Sequence, residues 1–395
     1  MVDFTRSPRE LELEARTKQF IREVVIPFES DPRLAHGVPD ELVREMRVQA
    51  REAGLLAPQA PVEWGGYGLD HRETATVLRA AGYSLLGPLA MNCAAPDEGN
   101  IHLLDRVATP AQKDRFLRPL AAGTIRSSFF MTEPDGGAGS DPDMMRTEAT
   151  RDGDHWVVNG RKWFISGVDG ANMGIIMART GQHATMFLTP LPTPGLTIER
   201  VMHTADGLMP GGHGVVKLDG VRIHESLVLG EVNEGFRYAQ VRLAPARLTH
   251  CMRWWGAARR AQDIATAYAT RRIAFGKPLI DHEGVGFMLA RNEVELRQAE
   301  FGRPVENHAK RPAARQRLRD QHNRLAKIRI GEFRLSNQQY AVGELRRLRT
   351  ERKRAHAQQC QDQQRAAMHA CRRRRSGSAG ERIVARCRCD PSPPS

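Results

Sequence analysis

The sequence predicts an α+β protein: an all-α N-terminal region, a small β domain, helices again, and a basic segment of different character. Three observations predict it. Apolar residues recur at helical spacing through the first third of the chain, short apolar runs punctuated by Gly and Pro fill residues 127–230, and helical spacing returns from Ala246 to Glu300. The expected divisions are 1–126, 127–235, 236–300 and 301–395.

In chain order, Ser7-Pro8-Arg9-Glu10 reads as a capping box with proline at the first helical position, followed by an apolar face of Leu11, Leu13, Phe20, Ile21, Val24 and Val25. A second helix is expected from about Pro39 to Ala53, stopped by Gly54, and further helical stretches near Glu73–Ala81 and Pro110–Ala122. Trp156-Val157-Val158, Asn159-Gly160 and Lys162-Trp163-Phe164-Ile165 read as a β-hairpin, because Asn-Gly takes the positive φ angles of a two-residue turn. Apolar runs at Gly174–Ala178, Thr185–Leu188, Leu196–Ile198 and Gly214–Leu218 supply further strands. Leu248, Cys251, Met252, Trp255, Ala258, Ala261, Ile264, Ala265 and Tyr268 mark a helix over 246–270, and His282–Glu300 starts another.

The charge is unevenly placed. The chain of 395 residues carries a formal +13, but residues 301–395 hold 24 Lys and Arg against 8 Asp and Glu, a net of +16. The first 300 residues therefore carry −3, an ordinary value. The last 95 residues contain only 13 Leu, Ile, Val and Phe, below the roughly 20% at which a charged chain buries enough to fold alone, so disorder is expected there. Arg372–Arg375 suits phosphate backbones, but Phe301, Phe333 and Tyr340 are the segment's only aromatics for stacking on bases, so nucleic acid is not the expected partner. Cys93 and Cys251 stand alone in the body, and the N-terminal residues do not read as a signal peptide. The expectation is a cytoplasmic protein without a disulfide framework or membrane span. Neither Cys387-Arg388-Cys389 nor His203 and His213 has partners at ligand spacing, so no metal is expected.

The chemistry-bearing segment is Phe129-Phe130-Met131-Thr132-Glu133-Pro134-Asp135-Gly136-Gly137-Ala138-Gly139-Ser140-Asp141, between the helical region and the strands. Small residues and a run of backbone N–H groups let a flat polar ligand approach, and Thr132 and Ser140 add hydroxyls. Asn159-Gly160-Arg161-Lys162-Trp163-Phe164-Ile165-Ser166 follows, and later Arg272-Ile273-Ala274-Phe275-Gly276-Lys277-Pro278-Leu279.

This ordered set resembles the acyl-CoA dehydrogenase family of flavoproteins over roughly residues 10–300. Leu229-Gly230-Glu231 with Glu234-Gly235-Phe236, and Arg247–Arg253, further resemble a branch whose mammalian members act on longer or hydroxylated acyl chains. The resemblance implies an all-α N-terminal domain, a middle β-barrel domain and a C-terminal helical bundle, incomplete here, with FAD as cofactor, acyl-CoA as substrate, an electron-transfer flavoprotein as redox partner and a homodimer or homotetramer as assembly. It places Met131 and Thr132 at the flavin ring, with Phe164, Ile165 and Ser166 on the ring's other side. Gly139 and Ser140 would lie by the FAD pyrophosphate and the pantetheine arm of CoA. Arg272 and Phe275, with His282 close by, would reach FAD from a neighbouring subunit, and Arg247 would face substrate.

Oxidation of an acyl-CoA needs a carboxylate to take the α-proton. Relatives place it in an acidic-Gly segment of the last helices, after a Gly-Gly motif, and none of Glu306, Asp320, Glu332, Glu344, Glu351, Asp362, Glu381 or Asp390 stands in such a context. A minority carry it at the position of Ala246, which cannot accept a proton. The catalytic residue is therefore left unassigned, and the segment from about residue 301 reads as a frame-shifted or replaced C-terminus.

Overall fold

Ser7 opens the first helix as the sequence predicts. In the computed structural model its hydroxyl accepts from Glu10 N at 3.0 Å and the Glu10 carboxylate accepts from Ser7 N at 2.8 Å, so two otherwise unpaired donors are satisfied reciprocally. The structure describes residues 5–134, 136–139, 141–202, 204 and 207–301, the last by its backbone alone. Ser140, Asp135, His203 and the basic segment from 302 on lie outside the described residues, and with them the expectations about tail cysteines, tail acids and a replaced C-terminus.

The helices are α1 (Pro8–Phe20), α2 (Ile26–Phe28), α3 (Asp40–Glu52), α4 (His71–Ala81), α5 (Gly87–Ala90), α6 (Asp97–Val107), α7 (Pro110–Gln112), α8 (Arg118–Ala121), α9 (Gly235–Arg271) and α10 (Glu283–Phe301). A π-helical turn, Ile21–Val25, joins α1 to α2. Leu13 and Phe20 of α1, Leu42 and Met46 of α3 and Leu78 of α4 share one core with Ile21 and Leu86. Leu42 and Met46 stand four residues apart on one side of α3, which leaves the charged face of that helix to water.

The strands are β1 (Ser127–Phe130), β2 (Glu148–Asp152), β3 (His155–Ser166), β4 (Met173–Thr180), β5 (His183–Pro190), β6 (Leu196–Met202) and β7 (His213–His224). They form one curled seven-stranded sheet in the order β1-β4-β2-β3-β7-β6, with β5 also paired to β4. The two-residue alternation of β4 sends Ile176 and Ala178 into the sheet's own core with Phe130, Trp156 and Phe187. Ile175 and Met177 point the other way and pack with Ile101, Leu104, Phe116 and Leu117 of the helical region. One strand thus cements two layers.

Two expectations are corrected here. Asn159-Gly160 is not a turn: β3 runs straight through it, and the β2–β3 hairpin turns at Gly153-Asp154. The pair instead forms an irregularity against β7, where Asn159 Oδ1 accepts from Gly220 N at 2.7 Å. Glycine is required because an added Cβ at 160 would stand 2.5 Å from Thr147 Oγ1. The helix expected from Ala246 begins at Gly235, with Pro245 carried inside it. α9 lies against α4 through a pair of glycines: a Cβ on Gly256 would stand 2.2 Å from the Arg79 carbonyl, and one on Gly82 2.1 Å from that of Arg253.

Candidate functional site

β1 delivers Met131 and Thr132 to the side of β3. The Trp163 amide donates to the Thr132 carbonyl at 3.0 Å, and Lys162 Nζ donates to the Met131 carbonyl at 3.1 Å and to Glu133 Oε1 at 2.8 Å. Lys162 is fully buried. Burial pushes its ammonium down to about 8, with Glu133 pulling the other way. Burial also pushes the Glu133 carboxyl up, but Lys162 and the amides around it win and hold it below its usual range. Those amides are Arg146 N at 2.6 Å, Thr147 N at 3.0 Å and Ala138 N at 3.4 Å.

Across from this turn, β3 bulges between Lys162 and Ile165. The bulge reverses the alternation, so Ile165 is buried in the sheet core while Phe164 is half exposed. Phe164 takes φ +53°, a left-handed conformation that a bulky residue adopts only under constraint, and its ring meets that of Trp163 edge-on at 4.8 Å. Ser166 Oγ lies 3.0 Å from His213 Nδ1, and the Ser166 carbonyl accepts from Ser128 Oγ at 3.0 Å. The Ile165 side chain belongs to the core, so only its backbone faces the site. Gly139 is exposed, with open space where a side chain would be.

Arg272 caps the C-terminus of α9 and starts a hairpin of β8 (Ile273–Ala274) and β9 (Lys277–Pro278). Its turn residues Phe275 and Gly276 have φ +50° and +79°, the left-handed pair of a type I′ turn. Phe275 is 96% exposed, its ring centroid lies 6.0 Å edge-on from that of His282, and His282 Nε2 lies 3.0 Å from the Ala274 carbonyl. Arg272 and Arg247 are exposed and make no ion pair among the described residues. The predicted residues thus fall into two groups, one flanking the 131–132 turn and one on this hairpin, with Arg247 on α9 beside the buried Ala246.

A third group escaped the sequence reading. Arg242, fully buried, donates to Asn100 Oδ1 at 2.7 Å and lies 4.1 Å over the Phe129 ring. Burial pushes its guanidinium down to about 10, opposed by Glu98 and Asp97. Thr249 donates to Glu98 Oε1 at 2.7 Å, and Arg253 donates to the Cys93 carbonyl at 3.0 Å. These bonds tie α9 to the start of α6, beside a mainly apolar cavity of about 450 Å³ lined by Leu89, Ala94, Leu208, His250, Arg253 and Trp254. Among the described residues, no group of three or more His, Cys, Asp or Glu could hold a metal, and no helix is long and apolar enough to cross a membrane.

Helices, a curled sheet, and helices again is an architecture shared with known proteins. The family models for the N-terminal, middle and C-terminal domains of acyl-CoA dehydrogenases match residues 7–124, 128–221 and 233–343. The last of these reaches past Glu300, where the recognisable motifs stop. A Mycobacterium tuberculosis protein, FadE2, assigned as an acyl-CoA dehydrogenase, is 36% identical over 314 residues, covering 75% of this chain and 76% of its own. Acyl-CoA dehydrogenase family member 10 of Mus musculus is 34% identical over 74% of this chain but only 29% of its own, longer length. Among solved structures, a Mycobacterium abscessus protein assigned to the acyl-CoA dehydrogenases superposes with a TM-score of 0.69 at 37% identity, over 75% of this chain and 78% of its own. A glutaryl-CoA dehydrogenase of Mycobacterium smegmatis, solved with FADH2, gives 0.65 at 27% identity, over 74% of each chain. The chain belongs to the acyl-CoA dehydrogenase family.

Proposed function

We propose that this chain is an FAD-dependent acyl-CoA dehydrogenase that oxidises the α,β bond of an acyl-CoA thioester and passes the electrons to an electron-transfer flavoprotein. The observation that carries the reading is Phe164, a half-exposed aromatic held at φ +53° by a bulge beside the Met131-Thr132 turn. An apolar ring kept exposed at a conformational cost fits a flat aromatic ligand better than it fits water. The donor set agrees: hydroxyls at Thr132 and Ser166, open backbone at Gly139, and the unpaired guanidinium of Arg272 for a diphosphate.

In this reading Met131 and Thr132 meet one side of the flavin, while Phe164, the Ile165 backbone and Ser166 cover the other. Gly139 and Ser140 serve the pyrophosphate and pantetheine, Arg247 faces substrate, and Arg272, Phe275 and His282 complete the site of a neighbouring subunit. FAD supplies the hydride acceptor when bound. The chain's residues orient substrate and exclude water, with Thr132 and Ser166 hydroxyls as donors near the ring. Glu133 is not the proton acceptor, because Lys162 and three amides occupy its carboxylate. Ala246 offers none either, and that favours a second reading in which the chain binds flavin and acyl-CoA without turnover.

Absorbance of the purified protein separates them. A yellow preparation bleached by acyl-CoA under anaerobic conditions marks a dehydrogenase, and one that stays yellow marks a binder. A colourless, folded protein that takes up no added FAD refutes both.

A further inference from the structure

The buried Lys162–Glu133 pair has no part in the chemistry above, yet every backbone group it holds lies in one segment. Lys162 Nζ takes the Met131 carbonyl, and Glu133 takes the amides of Ala138, Arg146 and Thr147, while Glu133 N itself donates to the Ala138 carbonyl at 2.7 Å. The glycines of the two motifs serve the same contact. A Cβ on Gly137 would stand 2.5 Å from Glu133 Oε2, and one on Gly160 would strike Thr147 at the segment's far end. The two motifs, 27 residues apart from Glu133 to Gly160, therefore interlock as the two halves of one clamp.

Stability alone is a poor account of such a pair. A buried ion pair is often no better for folding than well-packed apolar residues of the same volume, because both charges must leave water. What the pair supplies instead is a fixed shape. A Gly-rich segment of 131–147 has large conformational freedom to lose on binding a ligand, and holding it in advance removes that cost from the binding step.

We propose that Lys162 and Glu133 are positioning residues of the flavin site, which hold the backbone groups of Met131, Ala138, Arg146 and Thr147 in place before FAD arrives and fix the Met131-Thr132 peptide against β3. The proposal rests on the flavin reading of the preceding subsection. It assigns Lys162 no contact with FAD; it acts through the turn.

The test uses the full chain in apo form, titrated with FAD, alongside Glu133→Gln/Lys162→Met, which removes both charges and leaves none stranded. The double variant is expected to melt close to the parent, to bind FAD about tenfold more weakly, and to give a bound-flavin spectrum with altered fine structure. Parent-like affinity and spectrum in a folded double variant overturn the proposal while leaving the flavin reading intact. Amide hydrogen exchange on the unvaried apoprotein gives a check that needs no variant: Ala138, Arg146 and Thr147 are expected to be protected before FAD is added, and fast exchange at these three amides overturns pre-formation. A parent chain that takes up no FAD refutes the flavin reading, and the proposal falls with it.

Discussion

Replacing Phe164 with glycine separates what this residue does for folding from what it does for binding. At φ +53° a residue with a Cβ is strained by roughly 1–2 kcal/mol, which glycine relieves. Against that stand the greater freedom of glycine in the unfolded chain, roughly 0.5–1 kcal/mol, and the loss of a half-buried ring. Full burial of Phe contributes about 1.5–3 kcal/mol, so half of it is about 1 kcal/mol. The three nearly cancel. The apoprotein of Phe164→Gly is therefore expected to melt within about 3 °C of the parent, since about 1 kcal/mol moves a domain of 150–250 residues by roughly 2–4 °C and a longer one by less. FAD binding has no such compensation: losing an aromatic contact of about 0.5–1.5 kcal/mol weakens it about 2- to 12-fold. Differential scanning calorimetry of the apoprotein and a fluorescence titration with FAD measure the two quantities. A large drop in melting temperature with unchanged FAD affinity would show Phe164 to be a core residue and refute the reasoning.

Three further outcomes follow from the packing and the titrations. Gly256→Ala drives a methyl group to 2.2 Å from the Arg79 carbonyl, and overpacking of backbone on backbone is expected to cost about 3 kcal/mol in urea unfolding. Cys93 is buried and its thiol is pushed up to about 12, so iodoacetamide at mildly alkaline pH should label the exposed Cys251 and leave the peptide containing Cys93 unmodified. Lys162 titrates near 8 in the folded chain against 10.5 when unfolded. Between those values the unfolded state holds more protons, so this residue makes stability rise with pH across that window. The rise should be absent from Glu133→Gln/Lys162→Met; an identical alkaline profile in parent and variant would contradict it.

Local signals were legible where they involve neighbours in sequence. The capping box at Ser7 and Glu10 and the apolar run of β4 needed no tertiary knowledge. Asn159-Gly160 misled because the strongest hairpin dipeptide also serves wherever glycine must let another backbone close, here Thr147. The true turn carries its own signal in Asp152-Gly153, with Gly153 at φ +62°. Lys162 was legible in principle: Trp156, Val158 and Lys162 share the inward side of β3, and a lysine there requires a buried acceptor. The bulge at Phe164 was not, since it inverts the alternation by which strands are read. Nor was the Arg242–Asn100 bond, which joins residues far apart in the chain and depends on how α9 docks on α6. Pro245 hid the first three turns of α9, because proline more often ends a helix than rides inside one.

The way α9 and α10 meet argues for a further partner. Polar bonds join them: Trp255 Nε1 donates to the Leu296 carbonyl at 2.9 Å, Gln262 to that of Leu289 at 2.9 Å, and Arg259 pairs with Glu293. The large apolar side chains are elsewhere, with Trp254, Ile264 and Tyr268 of α9 and Phe287, Met288 and Val294 of α10 exposed among the described residues. Helices of a bundle bury such faces against one another, and apolar surface on this scale marks contact with more protein. If a second copy of the chain covers this face, sedimentation at micromolar concentration should find a dimer or tetramer. Phe287→Asp is expected to shift that equilibrium toward monomer, and Phe275→Ser to weaken FAD binding with the assembly intact. A strictly monomeric chain that holds FAD as tightly as an assembled one would show that the site is complete within one protomer, and would remove Arg272, Phe275 and His282 from it.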